Sequence, residues 1–459
     1  MPMTPSVSRP LRWQRVWLLA LGAGLSLAAL AIGARTSRPG WLLAILVLAA
    51  FAPVAYARLR LFARLTTSLR AHPAALWSAA AVAVGADAVM AAQLLTARVG
   101  DGVALLQAPG VQWVGPVWFS THALAALAYG ARGLLRLAAR PLRRADGARP
   151  PADGGAPASP GRREFLQQVS GLGAVAPFAV SLSGVPLSYD FRVDEREIEL
   201  PHWPRALDGL RIAHLSDIHV GGAMDGPRLQ RVASLTAAAR PDLVLHTGDF
   251  LTHRRGDFDA PLYEALARLT PRFGQWACLG NHDFDDPARL VRRLGAAGVT
   301  VLRDALTTVA VDGHALEVAG LDFGWDRARR AASAAERIAR WPARGPAPRL
   351  LLLHDPTEFA LLPEGCADLV LSGHTHGGHV GIQLGRDAAI TVVGLVGFPD
   401  QGVFDRGAMR LFVTRCVGFY GYPMRVGIPP EIALLVLRAP RVGGLGAAVS
   451  RPAPRAGRS

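Results

Sequence analysis

An α/β domain built on a parallel sheet, standing behind an N-terminal bundle of about four transmembrane helices, is the fold class this sequence predicts. Three observations predict it. The C-terminal half alternates short apolar runs with helical patterns, the N-terminal third carries long stretches without charge, and the arginines are divided unevenly between the two parts.

The apolar runs are Ile212 to Leu215, Leu243 to Leu245, Trp276 to Leu279, Leu350 to Leu353 and Leu369 to Leu371. Only the first alternates polar with apolar positions, so the others are expected to be covered on both faces, like strands of a sheet held between layers. Helical patterns such as Pro227 to Ala239 and Pro287 to Ala297 fall between runs, which gives the strand, helix, strand rhythm of a parallel sheet. Leu316 to Asp322 reads as a further strand-like segment, with Asp322 in a structural role.

Each of the five runs leads into a polar motif: Asp217-Ile218-His219, Gly248-Asp249, Gly280-Asn281-His282-Asp283, His354-Asp355 and Gly373-His374-Thr375-His376. Open parallel sheets bind ligands beyond the carboxyl ends of their strands, so the motifs are expected to converge on one rim. Carboxylate, imidazole and amide oxygen are what a two-metal hydrolytic site needs: hard or borderline ligands, a bridging group, and an open edge between ions roughly 3.5 to 4 Å apart. In an extended segment Asp217 and His219 point to the same side, as do His374 and His376, so one strand end supplies two ligands. Asp249, after flexible Gly248, is the expected bridging carboxylate, and Asn281 offers a neutral oxygen. His282 follows a ligand and is placed to protonate a leaving oxygen. Asp283 and Asp355 either orient a neighbouring ligand or cap the following helix. His214, His246, His253, His314 and His379 read as structural histidines.

In residue type and order these blocks resemble the calcineurin-like metallophosphoesterase superfamily, whose pattern is D-x-H, G-D, G-N-H-D/E, H and G-H-x-H. The resemblance covers roughly residues 190 to 440 and implies a four-layer αββα sandwich. It assigns Asp217, His219, Asp249 and His376 to a first metal, Asp249, Asn281, His354 and His374 to a second, and makes His282 the proton donor. The implied cofactors are two divalent metal ions, with Mn, Fe, Zn and Mg all compatible with the ligand mixture. Separations of 32 residues from Asp217 to Asp249, and again from Asp249 to Asn281, suit βαβ units. The implied reaction is direct hydrolysis of a phosphoester by a metal-activated water. Within the superfamily the chain is similar to bacterial transmembrane proteins with a metallophosphoesterase domain, through Gly373-His374-Thr375-His376-Gly377-Gly378 and through Pro423-Met424-Arg425-Val426-Gly427-Ile428-Pro429-Pro430-Glu431-Ile432. It departs from them at Cys416, where they tend to carry glycine. Arg425 could either meet a substrate phosphate as a bidentate donor or serve a structural ion pair.

The first 190 residues supply the expected address. Half of the chain, 51%, is hydrophobic and mean hydropathy is +0.24, too apolar for a purely soluble protein. Val16 to Ala34 and Trp41 to Ala57 are uncharged, Pro73 to Thr96 contains only Asp87, and Val111 to Ala131 has only His122 as an ionisable group. Such lengths suit a hydrocarbon core ~30 Å thick. Asp87 and His122 are expected to face the bundle interior, where they can pair. Residues 1 to 163 hold 18 arginines against four acids, whereas residues 164 to 440 hold 28 against 31, so the net charge of +15 and pI of 11.1 belong to the flanks of apolar segments and exclude no fold but argue against nucleic acid as partner. Arg9, Arg12 and Arg15 before the first span, and the six arginines from Arg132 to Arg149 after the fourth, place both segments in the cytoplasm.

The expected organisation is therefore a transmembrane region over residues 1–140, a linker over 141–187, the phosphoesterase domain over 188–440 and a disordered Arg-, Pro- and Gly-rich tail over 441–459. Within the linker, Arg162-Arg163-Glu164-Phe165-Leu166 before a mild apolar stretch reads as an internal twin-arginine export signal, the alternative being a basic flank before a fifth membrane segment or a buried helix. The catalytic domain is then extracytoplasmic, tethered to a bacterial inner membrane by a multi-pass anchor. Cys278, Cys366 and Cys416, odd in number and widely spaced, read as buried thiols. A phosphodiesterase acting on phospholipid headgroups or cell-envelope polymers is the reading that follows. A lipid A pyrophosphatase acting on UDP-2,3-diacylglucosamine, which needs a cytoplasmic domain, and a non-catalytic envelope-binding protein are the alternatives. Loops Phe250 to Asp259 and Phe398 to Arg406 are expected to wall the pocket.

Overall fold

The computed structural model describes residues 176–440 apart from 222–223, 253–258, 327–329, 386–387 and 420–423, together with scattered positions between 74 and 128 and the pair 451–452. The chain divides into two units, Met1–Leu182 and Ser183–Ser459. In the first unit the described positions from 74 to 128 are helical, as is the segment 176–187 that ends in the second unit. The first two expected spans, Asp87, His122, the Arg162-Arg163 motif and His253 lie outside the described residues. Among the described residues no helix is long and apolar enough to cross a membrane.

In the second unit the order is β1 (Arg192–Glu199), β2 (Leu210–Leu215), α1 (Gly226–Ala238), β3 (Leu243–His246), α2 (Ala260–Leu266), β4 (Gln275–Ala277), α3 (Pro287–Ala296) and β5 (Val299–Val301). Then come β6 (Ala305–Val311), β7 (His314–Leu321), α4 (Arg330–Ile338), β8 (Arg349–Leu353), β9 (Leu369–Ser372), β10 (Gly381–Gln383), β11 (Ala389–Thr391) and α5 (Val392–Leu395). The last strands are β12 (Gly402–Arg406), β13 (Met409–Val413), β14 (Glu431–Arg438) and β15 (Arg451–Pro452), the last lying inside the expected tail.

The strands form two sheets, as the αββα resemblance implies, and the strand, helix, strand rhythm runs through both. One runs β1-β14-β2-β3-β4-β5, the other β15-β12-β13-β9-β8-β7-β6, and a separate ribbon pairs β10 with β11. Both large sheets are mixed: β14 pairs antiparallel with β2, and β6 with β7, while β2 with β3 and β8 with β9 are parallel. The motif-bearing strands read alike in sequence because all are buried on both faces, and nothing local tells which sheet each joins.

Side-chain alternation shows how the layers stack. Ile212, Leu243, Leu245, Leu350, Leu352, Leu369 and Leu371 meet in one core between the sheets. Their neighbours Ala213, Leu215 and Val244 instead pack on α1, α2 and α3, while Leu351, Leu353 and Val370 pack under α4 and the turn containing Phe359. Each fully buried Leu or Ile stabilises by about 1.5–3 kcal/mol, so the pleat of every central strand feeds two cores at once. The result is helix, sheet, sheet, helix, the layering expected.

Two helices start where Asp precedes Pro. Asp225 accepts from Arg228 N at 3.1 Å ahead of α1, and Asp286 accepts from Arg289 N at 3.1 Å ahead of α3, each with proline in the first turn. With α2 between them, these helices return the chain across the first sheet, so that β2, β3, β4 and β5 run parallel and end on the same edge.

Candidate metal centre

All eight predicted residues come together. Asp217 follows β2, Asp249 follows β3, Asn281 and His282 follow β4, His354 follows β8, and His374 and His376 follow β9, so the rim is contributed by the edges of both stacked sheets. His376 Nε2 lies 3.2 Å from Asp217 Oδ1, and His219 Nε2 lies 3.5 Å from Asp249 Oδ2. His354 Nε2 lies 3.3 Å from Asp249 Oδ2, 3.1 Å from Asn281 Oδ1 and 3.0 Å from His374 Nδ1. His282 donates its backbone N–H to Asp249 Oδ1 at 2.8 Å, and its ring centre is 5.2 Å from that of His219.

The expectation that Asp217 with His219, and His374 with His376, lie along extended backbone is not met. Five of the seven predicted ligands have left-handed backbone: Asp217 (φ 53°), His219 (49°), Asp249 (53°), His374 (66°) and His376 (51°). Asp and His enter this region more readily than most residues, but each such position costs on the order of 1–3 kcal/mol. Loop-to-loop hydrogen bonds hold them there. Asp217 N donates to Gly248 O at 2.9 Å, His219 N to Asp249 O at 3.0 Å, and Gly418 N to Asp217 O at 3.0 Å. Side-chain-free positions let the loops touch: a Cβ at Gly373 would collide with Ser216 and the Asp217 carboxylate, and one at Gly280 with the Asp249 carboxylate.

Asp283 does more than cap. Its carboxylate accepts from the backbone of Asp249 at 2.7 Å, Phe250 at 2.9 Å and Gly280 at 2.9 Å, fixing the loop that carries Asp249. Burial and the neighbouring Asp249 push it up to about 7. Asp355 caps the turn after His354, accepting from Thr357 N at 2.9 Å. His214 and His246 are fully buried and bonded to Thr247 Oγ1 at 2.9 Å and Gln275 Oε1 at 3.2 Å, and burial lowers both. Asp322 pairs with Arg303 at 2.6 Å.

Arg425 takes neither role foreseen for it. Fully buried, it donates Nη1 to His376 O at 3.1 Å and Nη2 to Cys416 O at 3.1 Å and Gly418 O at 2.5 Å. No carboxylate pairs with it among the described residues, and burial lowers it to about 10. Glu431 complements this clamp: it accepts from Arg196 Nη2 at 2.8 Å and from Arg415 N at 2.9 Å. Arg425 and Glu431 thus hold the loop at 414–418 against Asp217 and His376.

Sequence reasoning missed two neighbours of the centre. Cys416 aims its Sγ at Asp217 Oδ2, 3.2 Å away. Phe323, in the turn after β7, lies 6.1 Å from the rings of both His354 and His374, and edge-on to exposed Trp325 at 5.0 Å. A turn aromatic with no motif around it carries no sequence signal of its place.

The donor set fits cations. His354 donates Nδ1–H to Thr247 O at 2.6 Å, so its Nε2 is turned toward Asp249 and Asn281 oxygens, acceptors that repel a lone pair unless a positive centre intervenes. Burial opposes a proton there, yet the Asp249 and Asp217 charges raise His354 to about 10. Asp217 Oδ1, wholly buried, receives no hydrogen bond. Asp217, His219 and Asp249 form one group with ligand atoms within 4.8 Å of one another, Asp249, His354 and His374 a second, and Asp249 belongs to both.

A family model for calcineurin-like phosphoesterases matches residues 210–378. A transmembrane protein with metallophosphoesterase domain from Danio rerio is 29% identical over 272 residues, 54% of this chain and 57% of its own length. An uncharacterized metallophosphoesterase of Bacillus subtilis, YkuE, is 27% identical, covering 61% of this chain and 98% of its own. The Escherichia coli phosphodiesterase YaeI is 28% identical over 50% of this chain and 82% of its own. The match thus spans little more than half of the zebrafish relative.

Proposed function

We propose that this chain, whose residues 210–378 match the calcineurin-like phosphoesterase domain, hydrolyses phosphodiesters at a centre of two divalent cations that share Asp249. The observation that carries the reading is the membership of Asp249 in both ligand groups. Asp217, His219 and His376 complete the first position; Asn281, His354 and His374 complete the second. These residues would hold divalent cations, which would supply Lewis acidity toward the phosphoryl group and lower the pKa of a hydrolytic water.

The chain's own residues set the geometry. Asp283 fixes Asp249 through its backbone N–H at 2.7 Å, and the His282 N–H at 2.8 Å fixes the Asp249 carboxylate, so the carboxylate cannot swing. Thr247 O selects the His354 tautomer that presents Nε2 inward. Asp217, His219, His354 and His376 are buried, whereas Asn281, His282 and His374 are half-buried. Substrate therefore enters on the His282 side, where that imidazole delivers a proton to the departing alkoxide. Phe323, beside His354 and His374 and backed by exposed Trp325, suits an apolar or aromatic substituent on the diester.

The domain's tether is proposed to be membrane-embedded, with residues 188–440 extracytoplasmic and phospholipid headgroups or envelope polymers as substrates. Supporting this are the charge-free N-terminal stretches, the arginine asymmetry and the zebrafish relative's description as a transmembrane protein.

The test uses the full chain in detergent, stripped by chelation and reloaded with Mn, Zn, Fe(II) or Mg, against an aryl phosphodiester, an aryl phosphomonoester and a phospholipid. Activity that vanishes on stripping, returns with metal and favours diesters is expected; metal-independent turnover sinks the reading. His282→Ala should keep its metal and lose ~10²-fold or more, most severely on poor leaving groups. A topology reporter at Ser459 found in the cytoplasm would overturn the extracytoplasmic placement.

A further inference from the structure

Cys416 occupies a position that the proposed mechanism leaves unused, and its surroundings are unusual for a buried thiol. The residue is wholly buried with φ at 64°, a left-handed conformation that glycine adopts freely and cysteine only at a cost. Arg425 Nη2 at 3.1 Å and Glu431 N at 3.0 Å both donate to its carbonyl, and its own N–H donates to Thr414 Oγ1 at 3.2 Å. The loop is therefore held in the conformation that presents Sγ to Asp217.

Sγ is not alone at that face. Asp217, His376 and Cys416 form a third group whose ligand atoms lie within 4.8 Å of one another, all three residues buried. The two oxygens of Asp217 are used differently. Oδ2 accepts from Ser216 Oγ at 2.5 Å, His374 N at 2.9 Å and Cys416 Sγ at 3.2 Å. Oδ1, 3.2 Å from His376 Nε2, receives no hydrogen bond. A fully buried carboxylate oxygen thus faces an imidazole nitrogen at 3.2 Å beside the thiol, and losing the thiol donor would still leave Oδ2 two others.

We propose that Cys416 is a metal-selecting ligand on the Asp217 side, its thiolate joining Asp217 and His376 on a thiophilic divalent cation such as zinc or iron(II). The inference rests on the metal-centre reading above. On binding, the cation takes the place of the Sγ proton, which leaves to solvent, so no oxidant or reductant is needed. Zinc–sulfur bonds of about 2.3 Å and zinc–nitrogen bonds of about 2.0–2.1 Å draw these atoms closer than they now stand, a shift of a side-chain torsion. The second group, Asp249, Asn281, His354 and His374, contains no sulfur among the described residues. The two positions are then chemically unequal: the Asp217 side prefers zinc or iron(II), and the His354 side also accepts manganese or magnesium.

Cobalt(II) tests this directly, because thiolate ligation produces a near-ultraviolet charge-transfer band that oxygen and nitrogen ligands do not. The full chain is stripped, loaded with cobalt(II) and its spectrum recorded beside Cys416→Ser. Visible ligand-field bands in both proteins, with the charge-transfer band only in the wild type, are expected. In competition between zinc and manganese, Cys416→Ser should lower the zinc-to-manganese ratio bound by about tenfold or more, the scale of losing a metal-site interaction. Cys416→Gly, suited to the backbone, provides the same readout if the serine variant does not fold. Cys278 and Cys366 remain in both variants and control for stray thiolate binding. Visible bands in the wild type without a charge-transfer band overturn the proposal while leaving the metal centre standing. Absence of all cobalt bands overturns both.

Discussion

The two sides of the candidate centre are built to opposite specifications. On the Asp217 side every side chain is buried, and Arg425 and Glu431 fix its loop from behind by hydrogen bonds to carbonyls and N–H groups. On the His354 side Asn281 and His374 are half-buried, and the backing is a pair of aromatic rings that ends in a Trp325 62% exposed. The closed side resembles a protein core that happens to contain ligands, whereas the open side resembles a binding surface. Stability and metal retention should therefore respond to mutation on the first side, and substrate recognition on the second.

Asp249, common to both groups, gives the largest effect. Asp249→Ala should abolish stoichiometric metal binding at both positions and cost several kcal/mol of transition-state stabilisation, about 10³-fold or more in kcat/KM. Elemental analysis and kinetics on one preparation check it. Retention of one full equivalent of metal would show that the two sides fill independently and that Asp249 bridges nothing.

The next effect belongs to the closed side alone. Glu431 is buried; burial raises its carboxyl, but Arg196 and Arg415 outweigh this and hold it below the ordinary 4.5. A depressed folded value means that its stabilisation is complete above pH 4.5 and is lost as pH falls through the lower, folded value. Glu431→Gln removes the buried carboxylate that Arg196 and Arg415 share and leaves them only the part-exposed Asp194 as carboxylate partner, so it should cost about 1.5–3 kcal/mol at neutral pH, the scale of a hydrogen bond to a charged group. The difference in thermal midpoint between wild type and variant should narrow as pH drops below 4.5. A constant difference across that window would remove the charge of Glu431 from the account of how this side is held.

How far the sequence foretold these two sides differs too. Ligand identity was legible on both, because Asp217-Ile218-His219 or Gly373-His374-Thr375-His376 states its chemistry in a few adjacent residues. Helices α1 and α3 were legible because Asp-Gly-Pro and Asp-Pro mark their starts locally. Two sheets were implied only by the resemblance, and their strand order was not legible, since β1 pairs with β14 at Arg192↔Glu431 and β14 with β2 at Ala433↔His214, contacts that no local pattern encodes. The left-handed φ of Asp217 and His376 was hidden for another reason: the period-two argument assumes extended backbone, and Asp and His accept the alternative without the glycine that would have announced it. Arg425 and Glu431 stood in a visible motif, but their partners lie in a loop, 414–418, whose course depends on the assembled sheets. Phe323 and Trp325 had no motif at all.

The smallest effect is the one that tests whether the open side recognises substrate. Trp325 is held edge-on by Phe323 at 5.0 Å and by Phe284 at 6.0 Å, and its exposure means that Trp325→Ala should change stability by no more than about 0.5 kcal/mol. Metal content should not change, because the residue touches no proposed ligand; Phe323 stands between. A lost aromatic contact of about 0.5–1.5 kcal/mol corresponds to a ~2–10-fold rise in KM for an aryl phosphodiester, with kcat little altered, since the contact is made equally in ground and transition states. A small alkyl phosphodiester, which cannot reach the ring, should show no change. Equal effects on both substrates, or a fall in kcat with KM constant, would make the wall a support for His354 and His374, and the open side would then be no more a recognition surface than the closed one.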